Sequence, residues 1–377
     1  MQEMPLDNLT GQNPWEAARN ILCIRLDSIG DVLMTTPAIR ALKDSRPGRR
    51  ITLLTSPSGA KIAELVPEID EVIVYRAPWL KATPPRADSR PEYRMADMLR
   101  EKGFDASVIF TVFSQNPLPS AFLVYLAGVP LRLAHCHENP YQLLTHWILD
   151  PEPQNGIRHE VQRQLDLVAA IGCKTEYQRL SLRLPAGASE SMVRIIENMG
   201  INLEKPWLVI HPGATAPSRR YSPEQFAQVG EQLATHHGFQ ILATGNGKEV
   251  GLVDSILSSM PLPGFNLAGM LSLAEFSALV EKAPVLITNN SGPAHIAAAV
   301  RTPVVDLYAL TNPQHTPWLV PNRVLYHDVP CKYCFKSICP EGHHNCLRLV
   351  SPDAVVQATL DLLFETKTAK ERLGVAQ

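Results

Sequence analysis

The feature that most constrains this chain is an alternation that runs through it twice: a short apolar run, a turn, then a stretch with helical spacing. Residues 20–26 (NILCIRL), 51–55, 71–75 and 105–110 are runs of buried-strand type, with helical patterns at 32–43, 58–65, 91–101 and 159–171. The pattern restarts with strand-like runs at 207–211, 239–244, 284–288 and 303–307, and helical stretches at 222–236, 248–259, 273–282, 293–300 and 351–364. Alternation at this spacing predicts an α/β fold, with parallel sheets carrying helices on both faces. Pro37 is expected near the first turn of its helix, and 78–90 reads as a proline-rich surface loop. Residues 184–191, with Pro185, Gly187 and two serines, show no apolar periodicity and read as a linker. The expected domains are 1–185 and 186–377. A length of 377 residues suits two cores rather than one.

Composition narrows the functional classes. Apolar residues make up 45% and charged residues 19%, which is globular rather than disordered. A net charge of −2 gives no reason to expect a nucleic-acid partner. The longest apolar candidate, 121–134, is interrupted by Gly128, Pro130 and Arg132, so no spanning helix is expected. The stretch before Asn20 carries Glu3, Asp7 and Glu16 and no apolar segment of signal type, which makes the cytoplasm the expected compartment.

Three polar segments follow strand-like runs, on the side where open α/β sheets gather ligands. In the first, Arg25-Leu26-Asp27-Ser28-Ile29-Gly30-Asp31, Gly30 permits a tight turn and Asp31 reads locally as a helix N-cap. The loop lacks the Gly-x-Gly-x-x-Gly of dinucleotide binders. In the second, His211-Pro212-Gly213-Ala214-Thr215 leads to Ser218-Arg219-Arg220-Tyr221. Hydroxyls, two guanidiniums and helix-start N–H groups suit phosphate, although a solvated basic loop has the same composition. In the third, Asn289-Asn290-Ser291-Gly292-Pro293-Ala294-His295 joins polar and glycine positions to a helix start that can face a diphosphate. A lone histidine such as His295 is more often a capping or core residue than a catalyst.

Together these segments identify the sequence as similar to glycosyltransferase family 9, the heptosyltransferases of the lipopolysaccharide inner core. The resemblance spans about 20–364 and rests on 25–37 (RLDSIGDVLMTTP), 211–221 (HPGATAPSRRY) and 289–297 (NNSGPAHIA). It implies a GT-B architecture, two Rossmann-like domains with parallel sheets facing a central cleft. It implies inverting transfer from ADP-heptose, with Asp31 as general base and Arg25, Ser28 and Gly30 on the acceptor side. Thr215, Arg219, Arg220, Glu249, Asn290, Ser291, Gly292 and His295 are then the donor-binding positions. The chain departs from the family where Arg219-Arg220-Tyr221 replaces a lysine-x-tryptophan pattern and where Asn290 replaces a frequent aspartate. Glu249 is the nearest acid to the expected ribose position.

No Asp-x-Asp occurs, in keeping with transfer that needs neither metal nor cofactor. The implied partners are a nucleotide-activated sugar and an anionic lipid-linked oligosaccharide. Lys43, Arg46, Arg49 and Arg50 would suit that acceptor, although a solvated charge cluster at a helix end reads equally well, and the resemblance leaves room for peripheral contact with the inner face of the inner membrane. A nucleotide-sugar epimerase of GT-B shape, and a nucleotide-binding relative with little transfer, are the competing readings.

The seven cysteines fall in two groups. Cys23, Cys136 and Cys173 are scattered and read as small buried apolar residues. Cys331, Cys334, Cys339 and Cys346 sit close together with His343 and His344 between them, which leaves both structural zinc and a packed loop of free thiols open.

Overall fold

The computed structural model describes residues 13–81 and 83–372, so most of the acidic stretch before Asn20 lies outside the described residues. The chain divides into two compact units between Ser181 and Leu182. The first holds six strands: β1 (Asn20–Arg25), β2 (Arg50–Thr55), β3 (Glu71–Val74), β4 (Ala106–Ile109), β5 (Leu131–Cys136) and β6 (His146–Leu149). All pair in parallel in the order β3-β2-β1-β4-β5-β6. The second holds β7 (Trp207–His211), β8 (Gln240–Ala243), β9 (Phe265–Asn266), β10 (Leu286–Asn289), β11 (Val304–Leu307) and β12 (Asn322–Leu325), ordered β12-β11-β10-β7-β8-β9.

Both orders are the doubly wound order, in which strand progression reverses beside the first strand of each sheet. The reversal opens a crevice at the carboxyl ends of β1 and β4 in one unit and of β7 and β10 in the other. These are two Rossmann-like halves.

Apolar strand residues account for the cores. Leu22, Ile24, Leu54 and Ile109 are sealed in the first unit, and Leu208, Ile210, Ile241, Ile287, Val305 and Leu307 in the second, against Phe226, Leu233 and Leu362. Strands buried on both faces are largely apolar, which is why these runs are mostly continuous rather than alternating.

Several elements differ from expectation. The first long helix begins at Ile29, three residues before the expected start, and Pro37 therefore lies inside it. Its N-cap is Ser28, and Asp31 is the third helical residue of a capping box rather than the cap itself. A helix, Ala188–Asn198, begins within the expected linker and buries Met192 and Ile196. Strands β5, β6, β9 and β12 have no counterpart in the sequence reading. The basic residues 43–50 join the end of that first helix to the start of β2, at the amino edge of the sheet. Asp31 is near the other end of the 16-residue helix, roughly 20 Å away at 1.5 Å per residue. Arg49 is 3% exposed and donates to the carbonyls of Trp15, Ala18 and Leu42, Lys43 pairs with Asp70, and Arg50 with Glu71. Arg49 is thus committed to local structure, and the cluster lies far from the first polar segment. Among the described residues no helix is long and apolar enough to cross a membrane.

Candidate active site

In the first unit the site is built around a buried guanidinium. Arg25, the last residue of β1, is fully buried, and its guanidinium meets three carboxylates: Glu160 at 2.7 Å, Asp27 at 3.0 Å and Asp31 at 3.1 Å. Burial opposes the arginine's charge, but Glu160, Asp27 and Asp31 more than offset that and raise its pKa above the usual range. Asp31 is held through both oxygens. Oδ1 accepts from Arg25 Nη2, and Oδ2 accepts from the Ser28 backbone N–H at 3.0 Å and the Ser28 hydroxyl at 2.6 Å. Gly30 is buried in the first turn of the same helix. The carboxylate is therefore fixed at the carboxyl end of β1, at the strand-order reversal.

Asp27, Glu160 and Gln115 complete this cluster and were not singled out from the sequence. Desolvation raises Asp27, Arg25 pulls it back and Asp31 raises it again, leaving it at about 6. Gln115 donates to Asp27 at 2.6 Å, and Gln164 donates to Glu160 at 2.7 Å. One cation shared by three acids is an arrangement whose proton affinity responds to each member.

In the second unit the other two segments meet at the corresponding reversal, and Asn289 joins them. This fully buried side chain accepts from the Tyr221 N–H at 3.0 Å and donates to the Pro212 carbonyl at 2.7 Å. Thr288 adds a bond to the His211 carbonyl at 3.1 Å. Tyr221 is 2% exposed, donates to the Val350 carbonyl at 2.8 Å and stacks edge-on against Phe226. Its ring is thus a structural anchor for the arginine segment. Arg219 ends a short 3-10 turn, Pro217–Arg219, and Arg220 Nε donates to the Ala214 carbonyl at 2.8 Å. Thr215 is exposed.

Ser291 is the N-cap of the helix Gly292–Val300, and its side chain makes no capping hydrogen bond. His295, in that helix, is 4% exposed. Burial holds His211 down to about 4, so it is neutral at physiological pH, with its ring against Phe276 and Nδ1 3.0 Å from the Thr244 hydroxyl.

Glu249 reaches the same crevice from the loop after β8. Its carboxylate lies against Gly213, where an added Cβ would come within 2.2 Å of Oε1, and Oε2 accepts from the Asn246 N–H at 2.8 Å. Backbone N–H groups, two guanidiniums and a carboxylate at one sheet edge form a surface suited to a nucleoside diphosphate.

A family model for glycosyltransferase family 9 (heptosyltransferase) matches residues 93–345. The chain belongs to this family. Family-9 relatives include lipopolysaccharide heptosyltransferase 2 of Escherichia coli (strain K12), 26% identical over 92% of this chain and 99% of the relative. Lipooligosaccharide heptosyltransferase 2 of Haemophilus influenzae is 26% identical over 91% and 99% of the two chains. Among solved structures, a family-9 glycosyl transferase from Veillonella parvula superposes with a TM-score of 0.76 at 22% identity, covering 92% of this chain and 97% of that one. ADP-heptose lipopolysaccharide heptosyltransferase II of E. coli gives 0.73 at 24%, covering 92% and 99%. The chain is accordingly a glycosyltransferase of the heptosyltransferase family.

The four clustered cysteines lie in the loop beside the arginine segment, where the Ser218 N–H and hydroxyl donate to the carbonyls of Ser337 and Lys336. They are free and half-buried. Burial raises the Cys346 thiol, and Cys339, Cys331 and Cys334 add to the effect. Cys331 Sγ is 3.9 Å from His343 Nε2, and among the described residues no three His, Cys, Asp or Glu side chains are grouped to hold a metal ion.

Proposed function

We propose that this protein transfers a heptose from ADP-heptose onto an anionic lipopolysaccharide core oligosaccharide, with inversion at the anomeric carbon and without a metal. The observation that carries the reading is the Asp31 carboxylate, held by Arg25 and Ser28 at the strand-order reversal of the first sheet. The names of the relatives support the donor and acceptor classes.

In the proposed step the acceptor hydroxyl gives its proton to Asp31 as its oxygen bonds to the anomeric carbon. The bond from that carbon to the diphosphate oxygen breaks, and its electron pair leaves with ADP. General base catalysis of this kind contributes typically ~10²–10⁴-fold. Arg219, Arg220 and the N-terminus of the helix Gly292–Val300 offset the charge growing on the leaving diphosphate. Glu249 is the acid proposed to accept from the ribose hydroxyls. Turnover of ADP-heptose with a purified core acceptor tests the reading: transfer in the wild type and none in Asp31→Asn supports it. ADP-heptose hydrolysis or epimerisation independent of acceptor would overturn it.

A further inference from the structure

The loops that follow β4 and β5 enclose a cavity of about 130 Å³, lined by Phe113, Ser114, Gln115 and Asn116 on one side and by His137 and Glu138 on the other. β4 lies beside β1, and β5 beside β4. With neighbouring strands ~4.8 Å apart, the cavity opens roughly 5–10 Å from the end of β1 that carries the Arg25 cluster. Gln115 ties the two together. Its Nε2 donates to Asp27 Oδ1 at 2.6 Å, while its Oε1 accepts from the Val112 N–H at 3.2 Å. Asp27 in turn shares Arg25 with Asp31.

The polar lining is held by its own bonds. Asn116 Nδ2 donates to Glu138 Oε1 at 3.0 Å, joining the two loops, and Asn116 Oδ1 accepts from the Leu118 N–H at 2.8 Å. His137 Nε2 lies 2.7 Å from the Phe113 carbonyl, which can only accept, so Nε2 carries the hydrogen and Nδ1 of the neutral ring is left to accept. The Ser114 hydroxyl and Glu138 Oε2 bond no described residue, and both side chains are exposed. A hydroxyl, a ring nitrogen and a carboxylate oxygen therefore stand ready for a ligand.

These groups discriminate by charge. No lysine or arginine lines the cavity, and any charge taken up by His137 is answered by Asp150 Oδ2, 3.7 Å from Nε2. Glu138 repels an anion, so a phosphate or carboxylate gains no charge-assisted partner here. Sugar hydroxyls, each both donor and acceptor, match every group on offer. The volume suits one face of a single ring, being well below the roughly 300–1,000 Å³ of sites that enclose a whole small molecule.

We propose that this cavity is a subsite for the sugar acceptor, in which Glu138, held by Asn116, binds hydroxyls of an uncharged ring while the anionic groups of that acceptor stay outside. The proposal rests on reading Asp31 and the first unit as the acceptor side.

Steady-state transfer from ADP-heptose to the purified core acceptor tests it in the wild type, Glu138→Ala, Glu138→Gln and Ser114→Phe. Glu138→Ala is expected to raise acceptor KM about tenfold, with kcat and donor KM within about twofold of wild type. Glu138→Gln, which keeps an accepting oxygen, should recover part of that loss. Ser114→Phe fills the cavity without removing a hydrogen bond and should raise acceptor KM at least as far. Unchanged acceptor KM in Glu138→Ala or in Ser114→Phe overturns the proposal, and so does an equal rise in donor KM. A lower acceptor KM in Glu138→Ala also overturns it, because relief of repulsion would place an anionic group in the cavity. A wild type that transfers nothing to the core acceptor removes the acceptor reading and this proposal together. Normal transfer with unaffected variants removes this proposal alone.

Discussion

Arg25 and Glu160 stand 135 residues apart in the sequence, yet Nη1 and Oε1 are 2.7 Å apart and both side chains are fully buried. The pair anchors the cation that holds Asp31. Removing one partner of a buried ion pair typically costs about 3–5 kcal/mol. Glu160→Ala should therefore lower the unfolding midpoint clearly in a denaturant titration and reduce kcat as Asp31 loses its fixed orientation. Full stability in that variant would contradict the anchoring role.

Asp31→Asn keeps the shape of the side chain and removes the proposed base. Transfer should fall by roughly 10²-fold or more, while calorimetric ADP affinity stays within a few-fold, since the proposed donor segments belong to the other unit. Near-normal turnover would exclude Asp31 as the base.

Asp27 carries a pH signature. Its folded pKa is about 6 against an ordinary 3.8, so the folded protein binds its proton more tightly than the unfolded chain does. That contribution to stability is complete below the unfolded value and is lost as pH rises through about 6. Asp27→Asn removes the penalty and should stabilise the protein by an amount on the order of 1–3 kcal/mol at pH 7.5, and by little at pH 4. Denaturation curves at the two pH values check this. The same change withdraws a negative charge from beside Asp31, so the acid limb of the kcat profile should move to lower pH. A profile identical to wild type would show that Asp27 and the base do not communicate.

Gly213→Ala addresses the donor side. The new methyl would fall 2.2 Å from Glu249 Oε1, so the carboxylate must move. ADP affinity should drop about tenfold or more with little change in melting temperature, because Glu249 is a half-buried side chain on a loop. Retained affinity would remove Glu249 from the nucleotide site.

Asn289→Ala should cost more stability. It leaves the Tyr221 N–H and the Pro212 carbonyl without their partner in a buried setting. Each such orphan costs about 1–3 kcal/mol, measurable by denaturant unfolding.

How far the sequence disclosed this molecule depended on whether the signal was local. The central strands were legible because burial on both faces makes them continuously apolar, as in Ile21 to Ile24 and Leu208 to Ile210. β5 was not, because Arg132 and His135 interrupt it. Arg132 is tolerated because its guanidinium donates to the carbonyls of Val129, Gln142 and Leu143. β6 and β12 are four-residue edge strands, too short and too exposed to leave a pattern. The helix Ala188–Asn198 opens with small polar residues that resemble linker composition.

The three polar segments were visible because glycine, proline and polar residues crowd the strand ends. Glu160 and Asp306 gave no such sign. A single acid in a helix or strand reads as surface; pairing with Arg25 across the fold brings Glu160 inside, whereas Asp306 is buried with neither oxygen hydrogen-bonded. The basic residues 43–50 drew notice as a dense cluster of positive charge, and Arg49, Lys43 and Arg50 answer backbone carbonyls and neighbouring acids.

The Asn289 amide has a mechanical consequence. By gripping Pro212 on one side and Tyr221 on the other, it welds two loops from different strands into one block as stiff as the sheet beneath. Whatever adjusts when a nucleotide arrives must then be side chains mounted on that block, with Arg219 and Glu249 swinging while the backbone around them stays still.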